Sequence, residues 1–402
     1  MLARLFRALL LSSLLLIVSS LALGAETVLH NFNPYTTGGI NPAGGLLLDS
    51  AGNFYGTGLD GTLFEFSPNS SGGWDYKILC SCSATYGYGS LVMDKSGNLY
   101  SSTFWGQIYQ YSPGGSSGWV ATLLYSFTGP TGSGPSPLAI DAQGNLYGVY
   151  GSGGAHNKGF VFELSQQSNG TWALTHLHDF SGSDGSSYAE NTAYTLLGGL
   201  VMDASGNLFG TANQGGSSTK CPSGCGVVFE LQKASGKWTY KVLHNFTGTD
   251  GMDPDATLLM DTAGNLYGTT TDGGANGFGV VFKVTAGTWH TTAIYNFTDT
   301  NGDGAYPNSA LIMDSAGNLF GTTEAGGGST VCTVESVNGC GTAFELKPSS
   351  GGTYKESILV KFTGKSNGGF PGGVTMGLDR NLYGIAEVGG TSNKGLFFEI
   401  PQ

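Results

Sequence analysis

The chain has 402 residues, 69 of them glycine, with 11% charged, 12% aromatic and 40% hydrophobic residues and a formal net charge of -12. Glycine without a three-residue period excludes collagen, the aromatic content excludes intrinsic disorder, and the lack of Ala/Glu/Lys/Arg-rich stretches excludes a helical protein. A turn-rich all-β protein remains, and its acidic balance repels phosphate backbones and anionic membrane surfaces, which leaves nucleic acid out as a partner.

Residues 1–24 read as a secretory signal: Arg4 and Arg7 form a basic start, Leu9 to Leu23 an apolar run, and Ala22 and Gly24 place small residues before a cut at Ala25. An N-terminal membrane anchor is the alternative, but the run is short for a span of ~20 residues. No Cys stands directly after the cut, and no second apolar segment of spanning length occurs. The mature chain, 25–402, is expected to be one domain, secreted or periplasmic, monomeric and without a membrane span. Loss of Arg4 and Arg7 leaves it with 14 basic against 28 acidic residues.

From there one unit recurs. An apolar triplet followed by Asp-x-x-Gly-Asn-Leu-Tyr-Gly-Thr is centred on Asn53, Asn98, Asn145, Asn207, Asn265, Asn318 and Asn381. The spacings are 45, 47, 62, 58, 53 and 63 residues, so seven copies account for the mature chain. Each copy carries four short strand signals. Strand A is the apolar triplet, as in Leu258-Leu259-Met260. Strand B is Asn-Leu-Tyr/Phe-Gly-Thr, and strand C is Val-Phe-Glu-Leu, as at Val228 to Leu231. Strand D opens on an aromatic residue: Trp74, Trp119, Trp172, Trp238, Trp289 or Tyr354. Four strands at this repeat length predict propeller blades rather than β-helix coils or the longer strands of an outer-membrane barrel. The last copy stops at strand C, Phe397 to Ile400, while Glu26 to Phe32 is a strand D with no blade before it. The expected fold is an all-β, seven-bladed β-propeller of four-stranded blades, its last blade closed by the N-terminal strand, which removes an exposed edge.

Six cysteines fit an oxidising compartment. Cys80 and Cys82 sit two apart in a predicted strand D and would make a strained disulfide. Cys221 with Cys225, and Cys332 with Cys340, are expected to be local disulfides that pin long B-to-C loops; zinc is the competing reading of Cys-x-x-x-Cys, without a second ligand pair nearby.

The combination of Leu-Tyr-Gly-Thr-Thr, Gly-Gly, Gly-x-Val-Phe-Glu-Leu and Val-Leu-His-Asn-Phe-Thr-Gly resembles the Gloeo/Verruco (GloVer) repeat over all seven copies. The resemblance implies an exported bacterial repeat protein, often with a surface-anchoring tail, which this sequence lacks. It implies no catalytic residues.

The repeated residues invite functional readings that turn chemistry already explains. Asp49, Asp94, Asp141, Asp203, Asp261 and Asp314 are expected to accept bonds from turn N–H groups, with Gly52 and its equivalents supplying positive φ, rather than to form a ring of cation ligands. The seventh copy departs, with Gly377 for Asp and Arg380 for Gly. His30, His178 and His244 share a strand D register, but belong to different blades and cannot converge on a metal. The strand C glutamates, Glu65, Glu163, Glu230, Glu345 and Glu399, are expected to lie on a solvated or cross-strand-paired face.

In a propeller the D-to-A and B-to-C connections share one face. Here they carry nearly all the length variation and both loop disulfides, so they form the expected binding face. Its candidate ligand-binding residues are Asp184, Tyr188, Glu190, Tyr194, Asp250, Asp253, Asp255, Asp272 and His156, a mixture of acids and aromatics that suits sugars. Asp299, Asn301 and Asp303 match the first half of an EF-hand loop, but Ala310 stands where its bidentate Glu would be; calcium is the cofactor candidate, against a plain loop. No nucleophile elbow, His-Glu-x-x-His or phosphate loop is present. The leading expectation is a non-catalytic propeller that binds a glycan or an extracellular protein. The alternatives are a lyase or hydrolase of extracellular polysaccharide and a structural or adhesive envelope protein.

Overall fold

The Leu-Tyr-Gly-Thr segments are extended and buried from end to end. In Leu146–Tyr150, Leu208–Ala212, Leu266–Thr270 and Leu319–Thr323 every residue is buried. A strand without polar alternation is one covered on both faces, and the neighbouring sheets provide the cover. The computed structural model describes residues 26–34, 41–81, 90–114, 118–128, 136–187 and 198–402, so the signal segment lies outside the described residues. It contains seven four-stranded antiparallel sheets arranged as the blades of a propeller. Blades 1 to 6 span 42–81, 92–126, 139–179, 201–245, 259–296 and 312–361. Blade 7 takes three strands from 369–400 and its fourth, Thr27–Asn31, from the other end of the chain. Thr27 faces Glu399 and Asn31 faces Leu396, as the orphan strand D predicts.

The core lies between blades rather than within them. One cluster joins Tyr147, Val149 and Val161 of blade 3 to Leu208, Phe229 and Leu231 of blade 4. Another joins Phe320 and Ala343 of blade 6 to Leu382 and Phe398 of blade 7. Strand D helps through a bulge that sequence periodicity conceals. In blades 1 to 6 the C–D register slips by one residue, leaving Leu79, Leu124, Leu177, Leu243, Ile294 and Leu359 unpaired; Leu29 is skipped in the same way in blade 7. An extra residue turns the strand locally, and each of these aliphatic side chains packs into an inter-blade cluster. Strand B hydroxyls add polar ties near the axis. Ser102 Oγ donates to the Ser136 carbonyl (3.0 Å), Thr269 Oγ1 to that of Ser309 (3.4 Å) and Thr322 Oγ1 to that of Pro371 (3.3 Å), each in the segment entering the next blade.

The A-to-B turns are closed by their aspartates. Asp49 Oδ1 accepts from the N–H groups of Ala51 (2.8 Å) and Asn53 (2.9 Å), and Oδ2 from Asn53 Nδ2 (2.9 Å) and the Tyr55 hydroxyl (3.1 Å). Asp94, Asp141 and Asp261 repeat the set. Asp203 and Asp314 keep the three bonds that do not need a tyrosine, because Phe209 and Phe320 stand in its place. Burial works against the ionised form, yet the donated bonds hold Asp49, Asp94 and Asp261 below the usual carboxylate range. These are Asx turns, with their oxygens engaged by the chain itself. The strand C glutamates are cross-strand partners: Tyr55 donates to Glu65 (3.3 Å) and Tyr147 to Glu163 (3.0 Å).

In blade 7 Asp379 does the work of the missing aspartate, accepting from the Asn381 N–H (3.1 Å) and the Tyr383 hydroxyl (2.8 Å). Arg380 is left at φ 72°, where Gly52, Gly144 and Gly317 stand in other blades. A left-handed conformation costs an L-residue roughly 1–2 kcal/mol. Arg380→Gly is therefore expected to raise stability by about 1 kcal/mol, less the added freedom of the unfolded chain. A denaturant midpoint that stays put or falls would contradict this.

Candidate functional site

The two faces of the ring differ. The A-to-B turns present closed Asx turns. The opposite face carries the D-to-A and B-to-C connections, and two loop disulfides lie there: Cys221–Cys225 in blade 4 and Cys332–Cys340 in blade 6. The second pins a small hairpin, Thr333–Val334 with Val337–Asn338. Cys80 is also disulfide-bonded, while Cys82 lies outside the described residues.

The predicted ligand residues separate into an outer and an inner group. Asp184 caps its own loop, accepting from Ser181 N–H and Oγ (both 2.8 Å) and meeting His178 Nε2 at 3.0 Å. Asp250 does the same with Thr247 (both 2.8 Å) and His244 (2.9 Å). Both sit at the end of strand D, the outermost strand. His178 also stacks on Tyr240 of the next blade at 3.7 Å, and that tyrosine donates to the Asp184 carbonyl at 2.6 Å. The histidine register thus clasps neighbouring blades. Asp303 occupies the same place after blade 5: its Oδ2 accepts from Thr298 N–H and Oγ1 (both 2.8 Å) and from Tyr295 (3.2 Å), and its Oδ1 from the Gly304 N–H (2.6 Å). Asp299 and Asn301 flank it with φ of 52° and 58°; burial, then the Asp303 charge, raises the Asp299 carboxyl. A calcium ion here would have to displace the donors that Asp303 already holds. Among the described residues no three His, Cys, Asp or Glu side chains are grouped to hold a metal. His156 is exposed on the blade 3 B-to-C loop. Tyr188, Glu190 and Tyr194 lie outside the described residues.

Asp253, Asp255 and Asp272 come together at the inner mouth. Asp253 and Asp255 lie on the segment entering blade 5, Asp272 follows its strand B, and all three are half-buried. Burial, then the charges of Asp272 and Glu335, raises Asp253 to about 7. Burial and Glu335 raise Asp272 to about 6. Asp255 is pushed well above the usual range by burial and by Asp253, against hydrogen bonds from Thr271 and Asn213. The cluster continues through residues that the sequence reading missed. Glu324 is raised by burial and by Glu335, Glu387 by burial and by Glu324. These last two line a pocket of about 170 Å³ with Pro42, Asn308, Phe370 and Pro371, where Asn308 Nδ2 donates to Glu324 at 3.0 Å. Asn213, Thr271, Glu324 and Glu387 share one register, six residues past the repeat asparagine, where other copies have Leu59, Phe104 and Gly151. That change of character within one register was the available signal. Among the described residues none of the six acids is in a salt bridge.

Raised carboxyls make stability pH-dependent. Asp253, Asp255 and Asp272, with Glu26 and Glu356 at about 7 through burial, hold protons in the folded chain at pH values where the unfolded chain has lost them. Their contribution is fully present below the ordinary carboxylate range and is lost as pH rises towards 7. His30, lowered to about 4 by burial, slopes the other way over the same interval, but the carboxyls outnumber it. Melting is therefore expected at lower temperature near pH 8 than near pH 5. Asp255→Asn should lessen that fall in stability towards pH 8. Calorimetry showing the same pH dependence in that variant would refute the assignment.

Residues 196–402 match the Gloeobacter/Verrucomicrobia repeat, and the chain belongs to this family of repeat proteins. Among solved structures it is similar to the extracellular domain of a hybrid two-component system from B. thetaiotaomicron, at 13% identity and TM-score 0.55, covering 94% of this chain and 41% of that one. It is also similar to the WD40 repeats of RRP9, at 11% identity and TM-score 0.54, covering 94% and 98%. A gluconolactonase from Xanthomonas campestris is more distant in shape, at 14% identity and TM-score 0.45 over 70% of this chain and 82% of its own. No curated protein matches the chain. At these identities the likenesses show the propeller fold alone. Among the described residues no helix is long and apolar enough to cross a membrane.

Proposed function

We propose that the chain is an exported, non-catalytic binding propeller that takes a glycan, or failing that an extracellular protein, on the face built by its D-to-A and B-to-C loops. The carrying observation is the contrast between the faces: Asx turns close one, while the other holds both loop disulfides and a mouth lined by half-buried acids. Loops pinned on a rigid ring are where binding residues concentrate. Trp105, 49% exposed on the blade 2 B-to-C turn of the same face, offers a ring for a sugar to stack on. The export reading draws on the signal segment and the disulfides.

A glycan array probed with the mature chain, followed by turnover assays on each hit, tests this. Binding without cleavage, weakened by Trp105→Ala, is expected; failure to bind any glycan or envelope protein would overturn it. A second reading, a polysaccharide-cleaving propeller, draws on Asp253 and Asp272, whose raised carboxyls suit general acid–base work. Turnover abolished by Asp253→Asn would favour that reading.

A further inference from the structure

We infer that the cavity shared by blades 6, 7 and 1 seats the end of a neutral sugar chain, with one sugar ring against Phe370 and its hydroxyls bonded to Glu324, Glu387 and Asn308. The inference rests on the reading that this face binds a glycan, and it names the unit bound and its place.

The cavity holds about 170 Å³. That is small beside the ~300–1,000 Å³ of pockets that take drug-sized ligands, and it suits a single ring. Its walls divide by chemistry. Phe370, Pro42, Ala43 and Pro371 make an apolar side, fit for the C–H face of a sugar. Asn308 and Glu324 of blade 6 and Glu387 of blade 7 make a polar side. Glu324 takes one bond from Asn308 Nδ2, at 3.0 Å. Asn41 Nδ2 goes to the Glu387 backbone carbonyl, and among the described residues no hydrogen bond occupies the Glu387 carboxyl. Two carboxyls on one small cavity therefore keep acceptors open towards it. Sugar hydroxyls supply the matching donors. A uronic acid would bring a third carboxylate into the same space, where like charges repel, so the end is a neutral one.

The aromatic wall is held in place. Phe370 has φ 55° and precedes Pro371, although a proline favours extended backbone in its predecessor. Its N–H donates to the Cys340 carbonyl at 2.9 Å, so the loop closed by Cys332–Cys340 stands behind it. On the far side, a Cβ on Gly372 would overlap the Gly44 carbonyl oxygen. Blades 7 and 1 thus meet there without a gap, and a chain has no way on between them. A closed seat of this kind takes an end rather than an interior unit. The rest of the chain leaves over blades 1 and 2, whose B-to-C connections, 59–61 and 103–106, are far shorter than 213–226 in blade 4 and 324–341 in blade 6.

The test is saturation-transfer NMR on the mature chain with D-glucose, D-galactose, D-mannose, N-acetyl-D-glucosamine and D-glucuronate. At least one neutral sugar is expected to bind with a dissociation constant on the order of millimolar, and D-glucuronate at least about tenfold more weakly. Phe370→Leu, Glu387→Gln and Asn308→Ala should each lose at least about tenfold in affinity. Asp75→Asn removes a charge from an exposed strand D site of blade 1 and should change nothing. Circular dichroism checks that each variant is folded. The sugar that binds should compete with array glycans that carry it at their end and not with those that carry it only internally. Array glycans bound while no neutral sugar binds would overturn the pocket and leave the glycan reading standing. A neutral sugar lost with the pocket variants, but no glycan bound on the array, would keep the pocket as a free-sugar site and overturn the glycan reading. Sugar binding untouched by the pocket variants, or matched by D-glucuronate, would overturn the inference. No binding of sugar or glycan would overturn both.

Discussion

Removal of residues 26–32 is expected to lower the melting temperature by at least ~10 °C and to make the protein self-associate. Thr27–Asn31 is the outer strand of a sheet whose other three strands come from 369–400, so its loss bares the edge of Leu396–Ile400. An unpaired edge templates pairing between molecules. The damage also reaches the next blade. Phe32, 1% exposed, lies 5.2 Å from the Phe64 ring and 5.7 Å from that of Tyr76, and His30 stacks on Tyr76 at 4.4 Å. The strand thus completes blade 7 by its backbone and ties it to blade 1 by its rings. Should the truncated chain fail to fold, Phe32→Ala keeps the expectation testable: about 3–5 kcal/mol should be lost. A truncated protein that melts as a monomer at the parent temperature would show that the ring does not depend on this strand.

Gly268→Ala is expected to cost about 1–3 kcal/mol although Gly268 lies in an ordinary strand. A Cβ there would stand 2.6 Å from Phe282 Cζ and 2.8 Å from Leu258 Cδ2. The strand B glycine is present because the strand C phenylalanine lies across it. The pairing recurs as Gly56 with Phe64, Gly148 with Phe162, Gly210 with Phe229, Gly321 with Phe344 and Gly384 with Phe398. Blade 2 is the internal control: its position holds Ser101, and the residue across is Tyr109, half-buried with its hydroxyl reaching Gln107. The double variant Gly268→Ala/Phe282→Leu should regain part of the loss, since contacting residues couple. If Gly268→Ala melts like the parent, close packing is not what holds glycine there.

The repeat made the fold legible because it encodes local chemistry. Asp-x-x-Gly-Asn specifies a turn, Leu-Tyr-Gly-Thr a strand covered on both sides, and the unmatched Glu26 to Phe32 the closing strand. The bulge in strand D was hidden, since Val-Leu-His reads as plain alternation and only pairing with strand C shows that Leu243 is skipped. The site was harder for a related reason. Asp184, Asp250 and Asp253 all look like acids in a glycine-rich loop; the first two turn back onto Ser181 and Thr247, whereas Asp253 meets Asp272 and Glu335. Nothing within a few residues distinguishes an acid that caps its own loop from one that faces a mouth. Glu324, Glu335 and Glu387 belong to blades 6 and 7, and they join Asp253 only through the curvature of the ring.

Ring completion also sets when folding can finish. The Thr391 N–H donates to Asn31 Oδ1 across 360 residues of sequence, and Asn41 Nδ2 reaches the Glu387 carbonyl across 346. The first strand to emerge from the ribosome finds its partner only after nearly all the chain has followed, on the order of tens of seconds at usual elongation rates. Contacts of such long range are slow to form and are rewarded last. Through synthesis the chain consequently remains an unclosed array of blades, its ring completed only when Leu396–Ile400 arrives.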